Sequence, residues 1–256
     1  MRKQFWLTAL LAMGIVSGCA DTRSVNQEAA NSYTQAVQQM RTQGMVDTSS
    51  TTAKRIHRVF ARLKPIAQQE NQTGVPFDWE ITVMKNKELN AWAMPGGKMM
   101  FYTGLVDRLQ LNDNEIATVM GHEMAHALKE HGKQSVNFTM ATGILAEISS
   151  VAVAAVTGVD FRPVIGLTQE YGLNKPFSRS NETEADEVGL MLMAKAGYNP
   201  EAAPHLWEKM SQATGSSGNT IESILSTHPT NADRQANLKR LLPQAMALYQ
   251  QANKAN

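Results

Sequence analysis

Thr118-Val119-Met120-Gly121-His122-Glu123-Met124-Ala125-His126-Ala127-Leu128-Lys129-Glu130-His131 is the stretch that decides how this 256-residue chain is read. His122 and His126 are four apart, so on a helix they stand one turn above each other on one face, with Glu123 on the flank of that face. Two imidazoles so placed can share one Zn²⁺, and the neighbouring carboxylate is near enough to take a proton from a water activated by the ion. Ile116, Val119, Met120, Met124, Ala127 and Leu128 add an apolar stripe at helical spacing. Asn112 or Asp113 ahead of Glu115 supplies a cap. The bland alternative is a pair of core histidines satisfied by backbone carbonyls.

The composition sets outer limits. With 43% hydrophobic and 18% charged residues the chain is long enough for one sizeable core. Lys+Arg 24 against Asp+Glu 23 leaves no basic face of the kind that nucleic acid requires. At the N-terminus, Arg2 and Lys3 precede an apolar run over residues 5–16, and Ser17, Gly18 and Cys19 follow, the three regions of a secretory signal. The run is too short to span a bilayer. Cys19 is the single cysteine, which excludes an internal disulfide. Val16-Ser17-Gly18-Cys19 resembles the bacterial lipobox, so residues 1–18 read as a lipoprotein signal peptide and Cys19 as the lipidated residue, anchoring the chain to a membrane without spanning it. Ala20 rather than Asp after the Cys points, by the same resemblance, to the periplasmic face of the outer membrane.

Residues 19–50 are polar, with weak helical periodicity around Tyr33, Val37 and Met40, and read as a tether that can dock in part. Residues 52–72 carry Ile56, Val59, Phe60, Leu63 and Ile66 at helical spacing, a packing helix. Residues 78–85 alternate apolar and polar as a half-buried strand does, and residues 99–103 read as another. Between them lie Leu89-Asn90-Ala91-Trp92-Ala93-Met94 and the turn signal Pro95-Gly96-Gly97. The expected fold class is therefore α+β, mostly helical, with a small antiparallel sheet preceding the metal helix. An edge strand of that sheet has free backbone groups that an extended peptide could pair with; a plain hairpin with no such role fits the pattern equally. Residues 138–159 are largely apolar and read as a buried or site-covering helix rather than a membrane span.

Residues 178–197 carry the second half of the chemistry. Ser180 or Asn181 caps this helix, and Gly197 ends it. Glu182 and Asp186 share a face; Glu184 and Glu187 fit a solvated one. Two His plus a Glu is a recurring ligand set for a catalytic zinc with an open position, so Glu182 can complete it. Asp186, one turn on, can accept the free N–H of a ligating imidazole, His122. Further on, His228 before Pro229, with Arg234 six residues later, could stabilise an oxyanion, or the imidazole could fill the open coordination position. His131 and His205 read as structural.

Asn90-Ala91-Trp92-Ala93-Met94-Pro95-Gly96-Gly97, Gly121-His122-Glu123-Met124-Ala125-His126, Ser178-Arg179 with Glu182, Ala185 and Asp186, and His228-Pro229 with Arg234 occur together in one order. In this the chain resembles the zinc endopeptidases that include the CAAX prenyl proteases, HtpX and BepA, as a small single-domain lipoprotein member. The resemblance implies a gluzincin-like metallopeptidase domain over residues 51–256, one Zn²⁺ held by His122, His126 and Glu182, and Glu123 as general base. It implies that Asn90, Ala91, Trp92 and Ala93 bind substrate in extended form, and that His228 stabilises the transition state or caps the zinc in a resting enzyme. The expected partners are protein or peptide substrates, drawn from misfolded or stalled envelope proteins, and the membrane through Cys19. The rival expectation is an assembly factor or chaperone in which zinc only braces the fold.

Overall fold

In the computed structural model the described residues are 20–142, 171, 173, 175–215, 224–229 and 231–254. The signal peptide, Cys19 and the apolar residues 143–159 lie outside them. Among the described residues no helix is long and apolar enough to cross a membrane.

Three strands form the centre. Strand β1 (Glu80–Met84) runs parallel to β3 (Lys98–Tyr102), and β2 (Ala91–Met94) pairs antiparallel with the other side of β3, giving the order β1-β3-β2. The sheet expected to be antiparallel is therefore mixed. Only the β2-β3 pair is a tight hairpin, closed by Pro95-Gly96-Gly97. Gly97 has φ +88°, and a Cβ there would lie 2.7 Å from the Trp79 ring, so the turn needs glycine. The outer edge of β1 is covered by residues 45–47, through the bonds from Asp47 N–H to Val83 O and from Lys85 N–H to Met45 O. Among the described residues the edge left for further pairing is that of β2.

The pleat sends alternate side chains to opposite faces. Ile81, Val83, Ala91, Ala93, Met99 and Phe101 join one core with helix α2 (Thr51–Gln69), helix α3 (Thr103–Leu109) and helix α4 (Asp113–Leu128). Met84, Trp92, Met94, Met100 and Tyr102 face the other way, into a core closed by helix α1 (Thr22–Thr42). The segment expected to dock in part is helical over most of its length, and Val25, Ala29, Tyr33, Ala36, Val37 and Met40 form a buried stripe along it. The Tyr33 hydroxyl lies 2.7 Å from both Met99 O and Thr82 Oγ1. Asp21 caps the helix by accepting from Arg23 and Ser24 N–H groups.

Lys98 is buried on β3 and neutralised by Asp78 at 2.6 Å and Glu80 at 3.0 Å. Its hydrogen bond and charge hold the Asp78 carboxyl below its ordinary value of 3.8. A depressed carboxylate gives stability that is complete above that ordinary value and lost as pH falls through the folded one. Urea midpoints measured between pH 5 and 2 should fall more steeply for the native chain than for Lys98→Met, which lacks this linkage.

Helix α5 (His131–Thr142) follows α4 after two residues, Lys129 and Glu130, the second at φ +55°. Helices α6 (Arg179–Lys195), α7 (Ala202–Gly215), α8 (Ile224–Thr227) and α9 (Ala232–Lys254) complete the described fold. Helix α6 crosses α4 where two glycines meet. A Cβ on Gly121 would lie 2.7 Å from Gly189 O, and one on Gly189 would lie 2.7 Å from the His122 backbone nitrogen. This close approach sets the distance between the motif helix and the helix carrying Glu182. Gly189→Ala should cost about 1–3 kcal/mol by overpacking, read as a lower urea midpoint, and should loosen zinc by moving Glu182 away from the imidazoles.

Candidate metal centre

Helix α4 begins with a capping box: Asn112 Oδ1 accepts from the Asn114 and Glu115 N–H groups, and Glu115 accepts from Asn112 N–H. From that start His122, Glu123 and His126 fall on buried positions, each 2% exposed. Helix α6 is capped by Ser178, which accepts from Asn181 N–H, rather than by Ser180 or Asn181. It brings Glu182 and Asp186 onto the same buried surface. The turn after α8 adds His228, held by its backbone bond to Ile224 O, while Ile224 N–H is fastened to Leu89 O next to β2.

His122, His126, Glu182 and His228 each present a donor atom to one point, all within 4.8 Å of one another. His122 Nε2 lies 3.1 Å from His126 Nε2, 3.2 Å from His228 Nδ1 and 3.5 Å from Glu182 Oε2. Glu182 Oε1 lies 3.4 Å from His126 Nε2 and 2.9 Å from His228 Nδ1. Ligands about 2.0–2.2 Å from a tetrahedral Zn²⁺ are roughly 3.3–3.6 Å apart, so the cluster has the dimensions of one zinc site.

The outward ring nitrogens of the two motif histidines have neighbours of their own. His122 Nδ1 lies 3.0 Å from Asp186 Oδ1, and His126 Nδ1 lies 2.9 Å from His131 Nδ1. With the ring protons turned outward, two Nε2 lone pairs and a carboxylate face each other in a buried space, an arrangement a divalent cation reconciles. Burial opposes a charge on His122, but the Asp186 and Glu182 carboxylates outweigh it and raise the imidazole to about 9 in the metal-free chain. His126, in contrast, is lowered well below its usual value by burial. Burial works against the Glu182 carboxylate too, yet the three imidazoles hold it far below the usual range.

Glu123 stands beside this cluster with its Oε1 buried and unpartnered, 3.5 Å from His228 Nε2. Burial pushes its carboxyl up, against the neighbouring imidazoles and a hydrogen bond from the Ala93 backbone N–H. That bond ties the β2 edge to the acid. Of the four residues expected to bind substrate, Ala91 and Ala93 present this edge. Asn90 O accepts from Tyr102 N–H within the sheet, and the Trp92 side chain is core, edge-on to Tyr33 at 6.5 Å.

Arg234 is 2% exposed and spends its donors inside the protein. It meets Asp186 through Nε at 2.6 Å and Nη2 at 2.7 Å, while Nη1 lies 2.7 Å from Glu182 Oε2 and donates to Pro229 O at 2.8 Å. Its guanidinium lies over Trp207 at 4.9 Å, and Trp207 is edge-on to His122 at 5.1 Å. These contacts join Arg234 to both carboxylates of helix α6 that face the cluster. Two residues escaped the sequence reading. His131 touches His126, and the Phe177 ring lies tilted over that of His126 at 4.2 Å.

A buried His-His-Glu cluster with an adjacent carboxylate, built from two helices next to the β2 strand, defines the metallopeptidase class. Residues 50–242 match Peptidase family M48, and the chain belongs to that family. It is 26% identical over 248 residues to metalloprotease YcaL of Escherichia coli, covering 91% of this chain and 94% of the relative. Metalloprotease LoiP of the same organism is 25% identical over 251 residues, covering 93% and 96%. The mitochondrial metalloendopeptidase OMA1 of Schizosaccharomyces pombe is 32% identical over 202 residues, 78% of this chain and 56% of the relative. The chain spans from 34% of the human OMA1 protein to 56% of the fission-yeast one.

Proposed function

We propose that the chain is a zinc-dependent endopeptidase in which His122, His126 and Glu182 hold the ion and Glu123 is the general base. The observation that carries this reading is the unpartnered Glu123 oxygen beside three convergent ligands. When bound, zinc supplies Lewis acidity, polarising the scissile carbonyl and making water acidic near neutral pH. Glu123 takes the proton of the attacking water and delivers it to the leaving amine. Ala91 and Ala93 of β2 offer backbone groups to an extended substrate, which thereby lies across Glu123. Asp186 and Arg234 fix His122 and Glu182 in orientation.

His228 fills the fourth side of the cluster, so this arrangement is a resting one and His228 withdraws to admit substrate. That same fourth donor is what favours the second reading, a closed zinc site that only braces an assembly factor. Digestion of casein separates them. The zinc-loaded chain should cleave it, a chelator should stop cleavage, and stoichiometric zinc should restore it; a zinc-loaded chain that leaves casein intact supports the bracing role.

The lipobox-like residues 16–19 support a lipid anchor on Cys19 and a place at the periplasmic face of the outer membrane, with misfolded or stalled envelope proteins as substrates. Mass spectrometry of the membrane-extracted chain should find acyl groups on Cys19 and no peptide from residues 1–18.

A further inference from the structure

We propose that His131 and Glu184 are positioning residues for the metal ligand His126, forming a relay that ends on a surface lysine. The inference rests on the zinc reading above and adds to it the groups that fix the second imidazole. His126 faces the cluster through Nε2, so its Nδ1 carries the ring proton. Among the described residues His131 Nδ1 lies within reach of that proton, at 2.9 Å, and must then accept. An imidazole that accepts at Nδ1 carries its own proton on Nε2, and His131 Nε2 lies 3.1 Å from Glu184 Oε2. The other oxygen of Glu184 pairs with Lys129 Nζ at 3.0 Å. Each tautomer is thus dictated by the one before it, from the cluster outward.

Three features show that this is a built arrangement. His131 is fully buried, so its two ring nitrogens need partners inside the protein, and His126 and Glu184 stand within hydrogen-bond distance of them. Glu130 takes φ +55°, a left-handed conformation that side chains other than glycine rarely adopt, and this reversal returns His131 beneath His126. Glu184 sits two residues after Glu182, so one helix turn supplies both a group facing the ion and the group that orients another one. Carboxylate–imidazole pairs of this kind hold a ligating ring in place and make it more basic.

The test is zinc affinity, measured by chelator competition on the full chain, together with the visible spectrum of the cobalt-substituted protein. Glu184 is part-exposed, so Glu184→Ala leaves the core intact. It should weaken zinc roughly 10- to 100-fold and shift the cobalt bands, with the metal-free chain still folded. Glu184→Gln keeps an accepting oxygen and should lose less. At the buried position, His131→Asn can still accept from His126 and should bind zinc more tightly than His131→Leu. Glu187→Ala, on the same helix but paired with Asn237 and Arg240, should match the native chain. Zinc affinities for Glu184→Ala and His131→Leu within threefold of native overturn the relay, as does an equal loss in Glu187→Ala. A native chain that binds no zinc overturns the endopeptidase reading itself, and this inference with it.

Discussion

Glu123→Gln yields a folded protein that keeps its zinc and loses casein cleavage by roughly 10²- to 10⁴-fold, the usual contribution of a positioned acid-base group. Glutamine has the shape of glutamate and can still accept the Ala93 N–H bond, so the β2 edge and the helix keep their places. What it cannot do is take a proton. The native carboxylate is buried with one oxygen unpartnered, a destabilising arrangement. The variant should therefore melt at the same temperature as the native chain or higher. Loss of activity with gained stability is the signature of a group retained for chemistry. Kinetics, zinc stoichiometry and calorimetry on one preparation check all three points. A variant that digests casein at the native rate removes Glu123 from the mechanism.

Arg234→Met should give the largest loss of stability. The guanidinium is buried and faces two buried carboxylates, Asp186 in a bidentate pair and Glu182. Removing it leaves those charges without their cation, and breaking a buried pair in this way costs about 3–5 kcal/mol. Methionine fills most of the volume against Trp207, so the loss is electrostatic and not a cavity effect. Adding Asp186→Asn in the same chain should return part of it, because one bare carboxylate is then gone. Urea unfolding of the native, single and double variants reads the difference. A midpoint for Arg234→Met equal to the native value would mean that water reaches these carboxylates.

The chemistry of the site was more legible in the sequence than its framework. His122, Glu123 and His126 could be placed because a residue spacing of four has only one meaning on a helix, and Glu182 with Asp186 by the same rule. His131 could not. Its approach to His126 depends on the left-handed turn at Glu130, and glutamate gives no local signal for that conformation. The α1 stripe was obscured because two of its buried positions are Ala29 and Ala36 and the residues between are Gln, Asn, Ser and Thr, a composition that suits a linker equally. Strand direction was hidden as well. Alternation marks which face a residue takes, and β1 alternates the same way whether it runs parallel or antiparallel to β3. Trp92 lay in a segment correctly expected to be an edge strand, but the pleat sends its ring to the α1 side, leaving the backbone as the part available to a peptide.

The most direct test of the central claim is an anomalous difference map at the zinc edge from crystals of the zinc-loaded chain. The account predicts one strong peak per chain, about 2.0–2.2 Å from His122 Nε2, His126 Nε2 and a Glu182 oxygen. A peak elsewhere, or one at the two imidazoles with Glu182 outside coordinating distance, would contradict it.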